Sequence, residues 1–541
     1  METWLAMFLT LTIGSLALFS FFFSSFSSSQ LKAKKAMNHK QPPLPPGPTS
    51  MTFVTKFMLL RKKAPEVEAI IRSFFSTYGP IIKLPLGSTP TILVSNRTLT
   101  HQALVQGGQI FAARPKSNLT GNIMTSNQHN VNSATYGPTW RFLRRNIATF
   151  LHPSRFGSFS SSRKRTIEIL NRCILADSES QLGPTIGVVH LFDHLKYAVF
   201  CLMSLVCFGD NLDEEPIKQL ETTNHRILAS ASRFQILDAH PILAKTLLRH
   251  RWKEFLSMRK ELEEIILPLI RTRKQADKPS PEMLMKKKED PFAHDVPTYV
   301  DSLFEVELDE DGEKRNLTED EIITLCVEFV TAGVDTTSAV LQWIMANIIK
   351  YPDIQAKIYE EIKSVAGDNE EEIREEDLPK MTYLHAVALE GLRRHPPLHF
   401  LLPHSVMQDT ELGGCTIPKD SIMMFMLSEI GWDPEVWEEP MKFKPERFLP
   451  KEEKGSDALD ITGSRGIKMM PFGAGRRICP GYAMAITHLE YFVANLVLKF
   501  EWKPVPGDDI DLDEEHDPFV VMKHPIQALI LPRTKQTQGS S

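Results

Sequence analysis

The chain has 541 residues, 42% of them hydrophobic and 24% charged, a balance that suits a globular protein with a large core. A formal net charge of −5 at pH 7 excludes the basic field of a nucleic-acid binder. Six cysteines, at 173, 201, 207, 326, 415 and 479, are too sparse for a disulfide framework, and they show no C-x-x-C or Cys/His zinc spacing.

From Trp4 to Phe23 the sequence is uncharged and rich in Leu, Phe, Ala, Ile and Met. About 20 such residues cross a bilayer as a helix. A secretory signal fits poorly, because no basic region precedes the stretch and no A-x-A site follows it. Lys32, Lys34, Lys35 and Lys40 come after it, so the positive-inside rule leaves the body of the protein in the cytosol. The expected layout is an anchor over residues 1–30, a basic and proline-rich hinge over 31–50, and a catalytic domain over 51–541. Within the hinge, Pro42-Pro43-Leu44-Pro45-Pro46-Gly47-Pro48 cannot continue a helix and reads as a stiff, extended connector.

A β-hairpin is expected from Ile81–Leu84 to Thr91–Val94, with Gly87 and Pro90 at its turn. Residues 273–295, rich in Lys, Asp, Glu and Pro, read as a solvated loop. Thr318 and Glu321 have capping-box spacing, and Leu317 with Ile322 has that of a hydrophobic staple. Apolar residues Ile322, Leu325, Phe329, Val340, Trp343, Ile344 and Ile348 then keep helical spacing until Tyr351-Pro352. At about 1.5 Å per residue this helix would run roughly 48 Å. Its middle, Ala332 to Ser338, is poor in helix formers, and such local inconsistency marks function or strain.

Near the carboxyl end stands Phe472-Gly473-Ala474-Gly475-Arg476-Arg477-Ile478-Cys479-Pro480-Gly481. Gly475 and Gly481 would let a flat ligand approach the backbone, and Arg477 offers a fixed positive charge to an anion. Ile486, Leu489, Val493 and Leu496 repeat at helical spacing, which places Cys479 just before a helix N-terminus that would favour its thiolate. A dinucleotide-binding reading fails, since Ile478 stands where the third glycine is needed.

Here the chain resembles the cytochrome P-450 monooxygenases, whose haem-binding signature is F-x-x-G-x-R-x-C-x-G. Phe472, Gly475, Arg477, Cys479 and Gly481 match all five fixed positions. Ala332-Gly333-Val334-Asp335-Thr336-Thr337 looks like the family's oxygen-activation segment, Glu390 and Arg393 match E-x-x-R, and Pro445 to Phe448 match P-E-R-F. Trp140 and Arg144 match the W-x-x-x-R element at a haem propionate, and His404 sits where members often carry Arg or His against one. The wording of several motifs is similar to plant microsomal members.

The resemblance implies a mainly α fold with a smaller β region behind one transmembrane helix. It implies haem b on the Cys479 thiolate, with Asp335 and Thr336 supporting proton delivery during oxygen activation. It assigns Glu390, Arg393 and Arg447 to a structural network beneath the haem. No flavin or nicotinamide motif is present, so NADPH would act through a reductase, docked by Arg141, Arg145 and Arg476. Phe400, Leu401, Leu402, Phe519, Val520 and Val521 suggest an apolar pocket for a lipophilic substrate. The implied location is the endoplasmic reticulum membrane, body facing the cytosol. A self-sufficient haem-thiolate isomerase or dehydratase, and a non-catalytic haem sensor, are the competing readings; the Asp335-Thr336 pair argues against both.

Overall fold

The computed structural model describes residues 42–50, 52–53, 64–86, 89–180, 187–239, 245–276, 297–310, 312–367, 370–450, 460–517 and 519–533. The expected anchor, Gly87 of the expected turn, and residues 277–295 of the expected loop lie outside them.

Helix α1 (Ala64–Tyr78) leads into strands β1 (Ile81–Leu84) and β2 (Thr91–Val94). These form the expected antiparallel pair, with Ile81 opposite Val94 and Leu84 opposite Thr91. Strand β3 (His404–Ser405) and strand β4 (Ile422–Phe425) complete a four-stranded sheet in the order β1-β2-β4-β3, in which β4 runs parallel to β2. Every residue of β2 is buried, which suits its unbroken apolar run. The proline-rich connector is docked on this part of the fold. Its prolines lack N–H groups, yet Pro46 O accepts from Lys83 N (2.8 Å) and Pro43 O from Thr416 N (2.9 Å).

The helices that matter for the site are α2 (Pro138–Phe150), α3 (Leu191–Phe208), α4 (Arg249–Ala276), α5 (Glu319–Lys350), α6 (Thr382–Arg394) and α7 (Tyr482–Lys499). A hairpin of β5 (Glu514–Asp517) and β6 (Phe519–Met522) follows them. Helix α5 has the bounds its capping box implies. Thr318 Oγ1 accepts from Glu321 N (3.2 Å), and Glu321 Oε2 accepts from Thr318 N (2.8 Å). Leu317 and Ile322 are both buried beside it.

Helix α5 runs through the core, where Trp343, Ile344 and Leu341 join Phe200 of α3 and Phe492 of α7 in the largest apolar cluster. Gly333 lets α5 lie against α3, because a Cβ there would run into the Met203 side chain. Both α3 and α5 are long and apolar enough to cross a membrane, but each is mostly buried inside the protein.

The charged stretch from Arg273 departs from expectation. Residues 273–276 are the last turn of α4, not loop. Arg273 reaches Asp301 through Nε to Oδ1 (3.2 Å) and Nη2 to Oδ2 (2.5 Å), a distant ion pair that composition does not reveal.

Candidate active site

The loop before α7 is a tight cradle. Cys479 N donates to Phe472 O (2.9 Å) and Ile478 N to Gly475 O (3.2 Å), closing it around the Gly475–Arg477 turn. Gly475 has φ +68°, and a Cβ there would collide with the Leu104 carbonyl. Its bareness therefore serves the chain's own backbone, a reason for glycine here that the sequence does not announce. Gly481 caps α7 and meets only ordinary contact from Leu151. Burial pushes the Cys479 thiol up, while the Gly481 backbone amide and Arg144 draw it down by less. The amide at the helix terminus thus favours the thiolate in the expected direction, and burial outweighs it.

Arginines crowd beside this loop. Arg477 donates from Nε to Ala112 O (2.8 Å) and from its terminal nitrogens to Val131 O (3.1 Å) and Ala134 O (2.6 Å). Its guanidinium lies 4.5 Å from the centroid of the buried Trp140 ring, whose Nε1 donates to Val131 O (3.2 Å). Burial, then Arg114 and Arg144, lowers Arg477 to about 9. Arg114 donates to Asn132 O, Leu402 O and Pro403 O, and burial lowers it to about 10.

Arg144 differs from both, for it has no hydrogen bond or ion pair among the described residues, and burial lowers it as well. His404, buried in β3, donates from Nδ1 to Phe111 O (2.7 Å); burial and then Arg114 depress it to about 3. Its Nε2 is therefore bare and would meet an anion only after taking a second proton. His404, Phe111, Ala112, Leu104, Ala474 and Arg477 line a narrow crevice too tight to hold a water molecule. Glu328 is the anion acting on Arg114 and Arg477. It accepts from Val131 N (2.8 Å) and Asn132 N (2.7 Å), and burial raises it to about 7.

On α5, Thr336 Oγ1 donates to Ala332 O (2.7 Å), the back-bond common for a helical threonine. Asp335 is buried, with Oδ1 at 3.0 Å from Lys196 Nζ of α3 and Oδ2 without a hydrogen-bond partner.

Glu390 and Arg393 on α6 are fully buried and joined by two bonds, Nε to Oε2 (2.7 Å) and Nη2 to Oε1 (2.8 Å). Glu390 Oε1 also accepts from Lys444 N (2.7 Å) and Arg447 Nε (3.3 Å), and Arg393 Nη1 donates to Gly431 O (2.8 Å). Segments of chain far apart in sequence are thereby pinned to α6.

Residues 45–530 match the family described as Cytochrome P450 (hereafter P-450). The chain belongs to the cytochrome P-450 family. It is 46% identical over 503 residues to cytochrome P-450 89A9 of Arabidopsis thaliana, spanning 91% of this chain and 94% of that one. It is 28% identical over 535 residues to costunolide synthase of Cichorium intybus, spanning 97% and 99%. A zebrafish cytochrome P-450 solved with abiraterone superposes with a TM-score of 0.67 at 23% identity, covering 86% of this chain and all of that one, a likeness of fold.

The protein is thus a cytochrome P-450 monooxygenase with a haem-thiolate cofactor, and the family implies O2 and a reductase partner. The residues present fit that cofactor. A half-buried thiol stands beside Arg144, which has no hydrogen bond or ion pair among the described residues, and the arginines around it outnumber the carboxylate Glu328 that acts on two of them. That is the electrostatic complement of a group bearing two carboxylates.

Of the six residues expected to suggest an apolar pocket, three pack in separate clusters. Phe400 packs towards α1 with Phe74 and Leu93, Leu401 packs with the cluster of Phe425 and Ala474, and Val520 lies in the core around α5. Alternation along an extended segment sends neighbours to opposite faces. Sequence reasoning also missed Arg114, Glu328 as its counter-charge, and Lys196. Arg114 alone carried a signal, a charged residue directly after Phe111-Ala112-Ala113.

Proposed function

We propose that Cys479 holds haem b and that the enzyme oxidises a lipophilic small molecule with electrons from NADPH delivered by the reductase. The observation that carries this reading is Arg144, a half-buried and unanswered cation beside Cys479. With Arg477 and Arg114 it would receive the haem propionates, and Trp140 would hold Arg477 in place. Two propionate charges would also favour the imidazolium of His404, which would then donate from Nε2. Phe472, Gly475 and Gly481 shape the loop that presents the sulfur.

A thiolate-bound haem supplies electron density that favours cleavage of the O–O bond. The chain's own contribution is proton handling. Lys196 fixes one oxygen of Asp335, and the unpartnered Oδ2 is free to take a proton and pass it on. Thr336 would turn its hydroxyl from the Ala332 carbonyl to relay a proton. Glu390, Arg393 and Arg447 act structurally.

Arg141 and Arg476 are exposed and lie over the same Tyr136 ring, at 5.2 Å and 5.4 Å, with Arg145 exposed on the same helix as Arg141. This basic surface suits an acidic reductase. Residues 1–30 would anchor the protein in the endoplasmic reticulum membrane, residues 31–50 would link the anchor to the body, and residues 51–541 would form the cytosolic monooxygenase domain.

The test is expression in microsomes with a reductase. The reduced protein under carbon monoxide is expected to show the red-shifted Soret band of sulfur ligation, and Cys479→Ala to lose it; the same band in the variant would refute Cys479 as ligand. Thr336→Ala is expected to keep NADPH consumption while product per NADPH falls, and unchanged coupling would remove Thr336 from proton handling.

A further inference from the structure

Helix α5 is sealed along its second half and open at its middle. Every residue from Thr337 to Ile349 is buried, as are Val334 and Asp335. Ala332 is exposed, and Thr331, Gly333 and Thr336 are partly so. Ala332 and Thr336, four residues apart, stack on one side of the helix, with Thr331 at its edge.

The hydroxyls of this stretch behave unequally. Thr336 Oγ1 and Ser338 Oγ turn back on their own helix, donating to Ala332 O (2.7 Å) and Val334 O (2.9 Å), the usual habit of such residues. Thr331 Oγ1 instead donates outward to Asn224 Oδ1 (3.0 Å), on the helix Glu214–Phe234. That helix packs mainly against α3 and α4, so the Asn224–Thr331 bond reaches across to α5 from a neighbour that does not rest on it closely.

Asn224 is buried, and the bond orients its amide. Oδ1 is spent on Thr331, and the Nδ2 hydrogens have no partner among the described residues. Glu221, one turn earlier on the same helix, makes no hydrogen bond to it among the described residues; its nearest counter-charge is Lys196. The surroundings are apolar. Ile227, one turn on, and Met124 of the short helix Leu119–Met124 pack half-buried beside the cluster of Phe234 and Leu237, and Val327 lies one turn before Thr331. One aimed donor in an apolar wall is the arrangement that reads a single polar atom of a lipophilic ligand.

We propose that Asn224 is a specificity-determining residue whose amide, aimed by Thr331, donates to a carbonyl or other acceptor oxygen of the substrate. Thr331 and Thr336 are about 7.5 Å apart along the helix axis, so the acceptor lies several bonds from the carbon presented beside Thr336. This rests on the proposed oxidation of a lipophilic molecule beside Thr336 and narrows that class to molecules with one placed acceptor.

The experiment uses the full-length, haem-loaded protein in detergent with N-decylimidazole and its keto analogues, the carbonyl moved stepwise along the chain. The imidazole ligates the iron and shifts the Soret band whatever the natural substrate is, so each dissociation constant is read optically. The best keto analogue's advantage over N-decylimidazole is expected to be about 3–10-fold larger in the wild type than in Asn224→Leu, the equivalent of one hydrogen bond. Thr331→Val, which leaves the amide unaimed, is expected to lose part of that advantage; a merely structural role would shift both probes alike. An equal advantage in wild type and Asn224→Leu, or no favoured carbonyl position, overturns the proposal while the carbon-monoxide band stands. Absence of that band from the wild type would overturn the haem reading and the proposal with it. Should Asn224→Leu fail to accumulate, Asn224→Asp decides: a carboxylate in place of the donor should abolish the preference for the ketone, and an unchanged preference overturns the role of Asn224.

Discussion

Arg393 is fully buried and Arg144 half-buried, and they are answered in opposite ways. Around Arg393 the donors are spent inside the chain, on both oxygens of Glu390 and on the Gly431 carbonyl, and the Trp437 ring lies 5.3 Å away. Around Arg144 nothing among the described residues accepts a hydrogen bond. A satisfied buried ion pair holds the fold, whereas a half-buried cation without a partner adds little to it until a ligand arrives to match it. Removing a member of each set should therefore give different failures, one of folding and one of cofactor retention.

The largest effect is expected at Glu390. Glu390→Ala strands Arg393 without its carboxylate and removes the acceptor of Lys444 N and Arg447 Nε. Breaking a buried pair in this way costs roughly 3–5 kcal/mol, so little folded, haem-loaded protein should accumulate. A variant with wild-type haem content and unfolding temperature would erase the contrast.

Arg144→Ala should do the reverse. The apoprotein loses a half-buried charge that has no partner among the described residues, and it should unfold no more easily than wild type. Haem should leave faster by about 10–100-fold, the equivalent of one charge-assisted bond of ~1.5–3 kcal/mol. Transfer of haem to excess apomyoglobin measures this rate, and an unchanged rate together with a destabilised fold would place Arg144 with Arg393.

The two sets also differ in how far they could be read from letters. Glu390 and Arg393 are three residues apart on one helix, so their pairing is local, and the fixed letters around Cys479 are local too. The capping box of α5 and the β1–β2 hairpin were legible for the same reason, since each is decided within a few residues. Lys196 and Asp335, or Arg114 and Glu328, are joined only because α3, α5 and the chain after Phe111 pack together, and no periodicity announces that. Arg477 also bonds the carbonyls of Ala112, Val131 and Ala134, more than three hundred residues away, which its place in the motif does not announce. The dispersal of Phe400, Leu401 and Val520 among separate clusters follows from strand faces that composition cannot assign.

Glu328 lies between these extremes and gives the finest test. It is partnered by two backbone amides, as Glu390 is partnered, yet burial outweighs them and raises it to about 7 from the ordinary 4.5. The sign follows from proton linkage. Between those two values the folded protein holds a proton that the unfolded chain has released, so stability is greatest below about 4.5 and declines as pH rises through 7. One proton sets a slope of at most about 1.4 kcal/mol per pH unit, with water reaching the site reducing it further. Urea midpoints of wild type minus those of Glu328→Gln should therefore fall between pH 5 and 7 and level off above it. A difference that rises with pH would mean that the Val131 and Asn132 amides win over burial, and Glu328 would then belong with the fully satisfied set around Arg393.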